Sequence, residues 1–268
     1  MSAAARTLGG TISLTKANVS QLLQYRLVLL LYGLRQVLNP LLYMAVWWAV
    51  AGDGDVAGFR QGDVVIYYIV FMGVAHFTWA TGYGQLANLI RLGRLSPHLM
   101  RPMNPIWVAV SGDLAAKLSA AVMLVPIWVA MYLILRPQFD FQWLNVALFV
   151  PSVVLAASLS FVAGACLGLT AFWVTKPGPF FNVWYNVAFA VGGQVAPVAL
   201  LPGAIKALAV VLPFRYTLGF PIEVFIGSLD SAELALGFAL QAFWIAFGLA
   251  LMRALWRSGI KQYQAVGA

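Results

Sequence analysis

Charge is what this chain of 268 residues lacks most. Sixteen Lys and Arg and eight Asp and Glu amount to 9% of it, against a hydrophobic share of 62%. A soluble domain carries about a quarter charged residues. Too little polar surface exists here to keep such a chain dissolved, and the mean hydropathy of +0.87 agrees. Disorder, which needs low hydrophobicity, is excluded as well. Cysteine is nearly missing: Cys166 stands alone, so no intrachain disulfide forms and no metal site is built on thiolates. No glycine pair frames a Lys-Ser or Lys-Thr phosphate loop, and there is neither a His-Glu-x-x-His string nor a Gly-x-Ser-x-Gly elbow. No catalytic residue, cofactor or metal is expected, and without a paired nucleophile and base an enzyme is disfavoured.

What the chain has in quantity is long apolar runs, so its length is counted in crossings of about 20 residues each. Six fit: residues 27–51, 64–84, 112–135, 145–169, a fifth from about Phe181 into Pro197 and Pro202, and a sixth over 234–252. The expectation is an all-α polytopic membrane protein forming one domain over residues 1–268. Residues 11–26 carry Val19, Leu22 and Leu23 at helical spacing, which suits a helix at the membrane surface or a frayed start to the first crossing. A cleavable signal peptide is not expected, since the first long apolar run begins only at Leu27. Arg35 and the Asn39-Pro40 pair interrupt the first crossing. A centrally placed Arg costs about 2.5–3.5 kcal/mol on insertion scales; two turns in, Arg35 snorkels toward headgroups or faces protein.

With the N-terminus in the cytoplasm, ten of the sixteen basic residues fall in cytoplasmic segments, among them Arg91, Arg94, Arg101 and Lys176, and four fall opposite. Positive charge is retained inside, so both termini should be cytoplasmic. The net charge of +8 then reads as orientation and contact with anionic lipid, with no nucleic-acid partner implied. Between the fifth and sixth crossings "GAIKALAVVLPFRYTLGFPIEVFIG" stays apolar but is cut by Pro213 and Pro221, giving pieces too short to span. Such pieces read as helices that dip into the outer leaflet and return.

Candidate functional positions are few. Asp113 and Lys117 stand four apart in the order that favours a helical ion pair, which neutralises both charges at the mouth of the third crossing; a gating role is the sharper alternative. His76 lies within the second crossing and lacks an acidic partner nearby in sequence, so a packing or hydrogen-bonding role is expected. Ser160, Gly164 and Gly168 recur every four residues, as a helix–helix packing face requires. In "LANLIRLGRLSPHLMRPMNP", Gly93 ends one helix, Ser96 can cap the next with Pro97 at its first position, and Pro102 stops it near Arg101. The product is a short basic helix presenting Leu95, Leu99 and Met100 either to a protein groove or to lipid.

"GRLSPHLMRPMNP", "LPFRYTLGFPIEVFIG" and "ALWRSGIKQYQAVGA", at matching places along the whole chain, resemble landmarks of permease subunits of type-two ABC exporters, in a six-span bacterial branch. The resemblance implies a permease dimer, with itself or a related permease, in the bacterial cell (inner) membrane. It implies cytosolic ATPase subunits docked on Leu95, Ser96, Pro97, His98, Leu99, Met100 and Arg101, and export of a drug, antibiotic, lipid or polysaccharide. By position, Asn182, Asn186 and Gln194 would wall the pathway, and Pro213, Arg215, Pro221 and Glu223 would belong to a re-entrant cap. ATP hydrolysis would belong to the separate subunit. The rival class, an ion-coupled secondary transporter, needs mid-depth carboxylates or a His chain, and no Asp or Glu sits centrally in a span.

Overall fold

In the computed structural model, which describes residues 3–52, 54, 59–101, 103–137 and 142–263, the chain is helical, with no strand among the described residues. Twelve α-helices follow in order: α1 (Ala3–Leu22), α2 (Arg26–Ala51), α3 (Gln61–Thr78), α4 (Gly82–Arg91), α5 (Ser96–Leu99), α6 (Ile106–Leu135), α7 (Trp143–Leu169), α8 (Gly178–Val191), α9 (Gly203–Val211), α10 (Pro213–Thr217), α11 (Gly219–Ile226) and α12 (Ser231–Gly259). Among the described residues five segments are long and apolar enough to cross a membrane: residues 27–51, 61–91, 106–135, 143–172 and 231–259. The apolar runs read from sequence therefore appear as spans at five of six places.

The crossing expected to start near Phe181 departs from that plan. Its helix, α8, has 14 residues, about 21 Å at helical rise against a hydrocarbon core of about 30 Å. It ends at Gly192, and Gly193 takes a positive φ of 92°. The residues after it leave helical geometry well before Pro197. The second crossing is also interrupted. Thr78 ends α3 and Gly82 starts α4, with Trp79 extended between them. Asn39-Pro40, by contrast, does not break the first crossing, because α2 runs through Pro40 as a single helix. Only the Gln36 carbonyl loses its partner there, since Pro40 has no N–H to donate.

The N-terminal helix is distinct from the first crossing. A turn at Leu23–Tyr25 separates α1 from α2, and α1 packs along α6 with Thr11 and Thr15 buried. Asn18 Nδ2 reaches Ser111 Oγ at 3.5 Å. At the other terminus α12 opens with a reciprocal cap: the Asp230 carboxylate accepts from Glu233 N at 2.8 Å, and the Glu233 carboxylate accepts from Asp230 N at 3.1 Å.

Close approach between α4 and α7 is set by missing side chains. A Cβ on Gly168 would stand 2.9 Å from the main-chain oxygen of Tyr83, and one on Gly164 would stand 2.9 Å from the Tyr83 ring. Ser160, one turn further along the same row, lines a cavity described below. Gly168→Val should cost about 1–3 kcal/mol through overpacking, read as a lower unfolding midpoint in detergent, whereas Gly84→Ala, which meets open space, should leave the midpoint within error.

Candidate functional site

One end of the bundle carries α5, and its placement follows from how α4 stops. Gly93, at φ 66°, lets Arg94 N donate to Leu89 O at 2.9 Å and Gly93 N donate to Ile90 O at 3.2 Å. This pairing satisfies the last carbonyls of α4 and turns the chain sharply. Leu95 then folds inward. It is 0% exposed and packs with Leu86, Ile90 and Leu169 against Trp256 and Ile260 of the α12 end. The sequence places Leu95 on the displayed face with Leu99 and Met100. The structure reverses that, because the tight turn at Gly93 aims it at the core. The cap differs too. Leu95 is the N-cap residue, with Ser96 first in the helix and Pro97 second, and Ser96 Oγ lies 3.3 Å from the Tyr263 hydroxyl.

That hydroxyl is the fastening of α5. Tyr263 Oη accepts from Leu95 N at 3.0 Å and from Ser96 N at 3.3 Å, which supplies two of the helix-start N–H groups that lack partners within the helix. Its ring meets Phe172 edge-on. The resulting knob shows Pro97, Leu99, Arg101 and Met100, the last 87% exposed. His98 is half-buried, and that burial, with Arg101 beside it, holds its imidazole below the usual value. At neutral pH this ring is uncharged, and the positive charge of the knob rests on Arg91, Arg94 and Arg101.

Midway along the bundle, the break between α3 and α4 is held from α6. Asp113 Oδ1 accepts from Thr81 N at 2.6 Å, Thr81 Oγ1 at 3.2 Å and Gly82 N at 3.4 Å, while its Oδ2 takes Lys117 Nζ at 2.5 Å. The carboxylate thus caps a helix that starts inside the membrane. His76 Nε2 donates to the Lys117 carbonyl at 2.9 Å, and its Nδ1 is buried without a partner. His76, Asp113 and Lys117, apart in the sequence reading, form one network here.

Above this break lies a cavity of about 90 Å³ between α2, α3, α7, α8 and α10. Arg35, Gln36 and Asn39 enter it from α2, Trp79 and Ala80 from the break, Ser160 from α7, and Tyr185 from α8. Gln194 also lines it. Asn182 and Asn186 do not, since they stand exposed on the outer face of α8. Trp79 stacks on Tyr185 with ring centres 4.6 Å apart.

The far end is closed by α10 and α11. Pro213 and Pro221 occupy first-turn positions, where a missing N–H costs little. Arg215 and Glu223 pair in the interior, with Nη2 at 2.7 Å and Nε at 3.0 Å from Oε2. The non-helical stretch beyond α8 takes donors from other helices. Tyr67 Oη donates to Gly193 O, and Tyr68 Oη and Trp47 Nε1 both donate to Val195 O, each at 2.7 Å. Gln241 of α12 donates to Ser152 O and Tyr216 O. Tyr263, Trp47, Tyr67, Tyr68 and Gln241 escape a sequence reading, because each acts across tens of residues on a main-chain group. The one available hint was a polar or amphipathic side chain within or just beyond an apolar run.

Broken helices held by buried polar groups, a fastened knob at one end and an apolar exterior define a polytopic membrane protein. Residues 36–267 match the model of the ABC-2 family transporter proteins, and the chain belongs to that family. It is the permease type of subunit, which is a membrane component of transport and not itself the catalytic one. No curated protein matches the chain.

Asp113→Ala strands Lys117 and the Thr81 and Gly82 N–H groups together and should cost about 3–5 kcal/mol. Lys117→Met leaves the capping bonds in place and should cost distinctly less in the same unfolding assay. Removing the hydroxyl in Tyr263→Phe withdraws bonds worth about 0.5–1.5 kcal/mol each, so exchange at the Leu95 and Ser96 amides should speed by roughly 2- to 12-fold with the global midpoint little changed.

Proposed function

We propose that the chain is the transmembrane permease of an ATP-driven exporter in a bacterial cell membrane. In this reading both termini and α5 are cytoplasmic, and six crossings are reached by counting α8 with the clamped stretch that follows it. Two permeases, identical or related, enclose the pathway, and cytosolic ATPase subunits bind α5. The observation that carries the reading is the family match over 36–267 together with the protruding knob, whose backbone is fixed while Leu99 and Met100 stay exposed. A motor that pushes on a helix needs that combination: apolar contact outward, and a rigid attachment inward so that displacement is transmitted.

The remaining parts take roles consistent with it. Asn182 and Asn186, four apart on the exposed face of α8, are costly toward lipid, and facing a second permease across a hydrated path relieves that cost. Gln194 lies deeper, in the cavity wall. The segment from Pro213 to Glu223 forms the external cap, and Gly164 and Gly168 serve packing. Cargo is a drug, antibiotic, lipid or other amphiphile.

The test is association with a cognate ABC ATPase subunit co-expressed with the permease. Met100→Asp and Leu99→Asp should each reduce co-purification at least about tenfold, as expected for an apolar anchor exchanged for a charge, while leaving the permease folded. Leu95→Asp should instead reduce the yield of folded permease, because that side chain is interior. Undiminished co-purification of the Leu99 and Met100 variants, or accessibility labelling that puts Ser96 outside the cell, would overturn the docking assignment. Transport that follows the proton gradient and ignores ATP would favour an ion-coupled carrier.

A further inference from the structure

Of the charged side chains at membrane depth, two pairs are self-neutralised: Asp113 with Lys117 and Arg215 with Glu223. Arg35 is different. It lies eight residues, or about 12 Å, past the start of the apolar run at Leu27, and it makes no ion pair among the described residues. Both Arg35 and Asn39 are exposed, and both line the cavity between α2 and α8. Around them the walls offer the side-chain amides of Gln36, Asn39 and Gln194. They also offer the aromatic faces of Trp79, Tyr185 and Trp184. Among the described residues no carboxylate lines this cavity, and the formal charge they bring to it is the positive one of Arg35.

We propose that this cavity receives the anionic group of an amphiphilic ligand, with Arg35 as the residue that selects the charge. The inference rests on the permease reading and names the class of its cargo. A planar guanidinium presents several parallel N–H donors that match a carboxylate, phosphate or sulfate in a two-bonded fork. An unpaired cation is expensive in hydrocarbon and gains most from a ligand that neutralises it there. The amides of Asn39 and Gln194 add donors for the remaining oxygen atoms. At about 90 Å³ the enclosed space suits a headgroup with some water and not a long tail. The apolar part of the ligand therefore lies outside the mouth, along the exposed face of α2 where Leu31, Leu34, Leu38 and Leu42 stand uncovered.

The experiment uses the full chain in phosphatidylcholine nanodiscs, with dansyl-undecanoic acid as the probe and its primary amide and the matching alkyl amine as controls. The acid should bind about tenfold or more tightly than the amide, the amine weakest, as a charge-assisted hydrogen bond predicts. Arg35→Gln should abolish the preference for the acid, and Arg35→Lys should retain part of it. Equal affinity for the three headgroups in the unaltered protein, or an acid preference that survives Arg35→Gln, would overturn the proposal. The first comparison needs no variant, so misfolding cannot mask the outcome. Adding phosphatidylglycerol separates two sources of the anion. Displacement of the probe assigns the site to a bilayer lipid headgroup, and persistence of the probe assigns it to a single-chain acid; either supports an anionic amphiphile. ATPase association is measured apart from this binding, so loss of the acid preference with docking intact retires the cargo class alone, and loss of docking with the preference intact retires only the motor.

Discussion

Main-chain hydrogen bonding in an environment without water constrains everything else in this structure. Lipid supplies no partner for a free N–H or C=O, so a spanning segment is normally an unbroken helix. Among the described residues the second crossing departs from that at Trp79–Thr81, helical geometry is also lost beyond Gly192, and each irregular stretch is met by a specific set of side chains. Asp113 accepts from the amides where α4 begins. Tyr67, Tyr68 and Trp47 donate to the carbonyls of Gly193 and Val195. These donors come from α2 and α3, so the irregular stretch beyond α8 is tied to both of those helices by hydrogen bonds. Close contact depends on missing side chains, since Gly168 admits the main chain of Tyr83 against α7 and Gly164 admits its ring.

Much of the architecture is legible from composition and spacing alone. Runs of apolar residues bounded by Arg, Asp, Gly or Pro mark five long crossings because the membrane imposes a minimum length on any helix that spans it. The apolar segment carrying Pro213 and Pro221 reads correctly as short helices, because proline is tolerated in a helix's first turn and not in its interior. Gly93 reads as a stop and behaves as one, through the positive φ it adopts.

Where the reading fails, the cause lies in tertiary geometry. Leu95 has the same chemistry as Leu99, and only the direction of the turn after Gly93 decides which of them is interior. The second crossing looks continuous because neither Trp79 nor Thr81 is a helix breaker. Its interruption is stabilised by a carboxylate from a helix 32 residues further on. Asn39-Pro40 looks like a break and is not one, since a single lost bond is tolerable in a helix of 26 residues. At the candidate sites, residue types were visible in advance, but the grouping of Arg35, Asn39 and Gln194 around one cavity required the fold.

The bond from Tyr263 to α5 carries a mechanical consequence. Because a residue just past α12 grips the start of α5, the knob is braced at two points: through the chain into α4, and through a phenol into the last spanning helix. A sideways stroke delivered there cannot be absorbed by bending one connecting loop. It is shared between α4 and α12, which meet different faces of α7, α4 at Gly164 and Gly168 and α12 at Val162 and Cys166. One of the two arms, α4, is 10 residues long and the other, α12, is 29, so a displacement of α5 is carried further along the bundle through the phenol than through the chain.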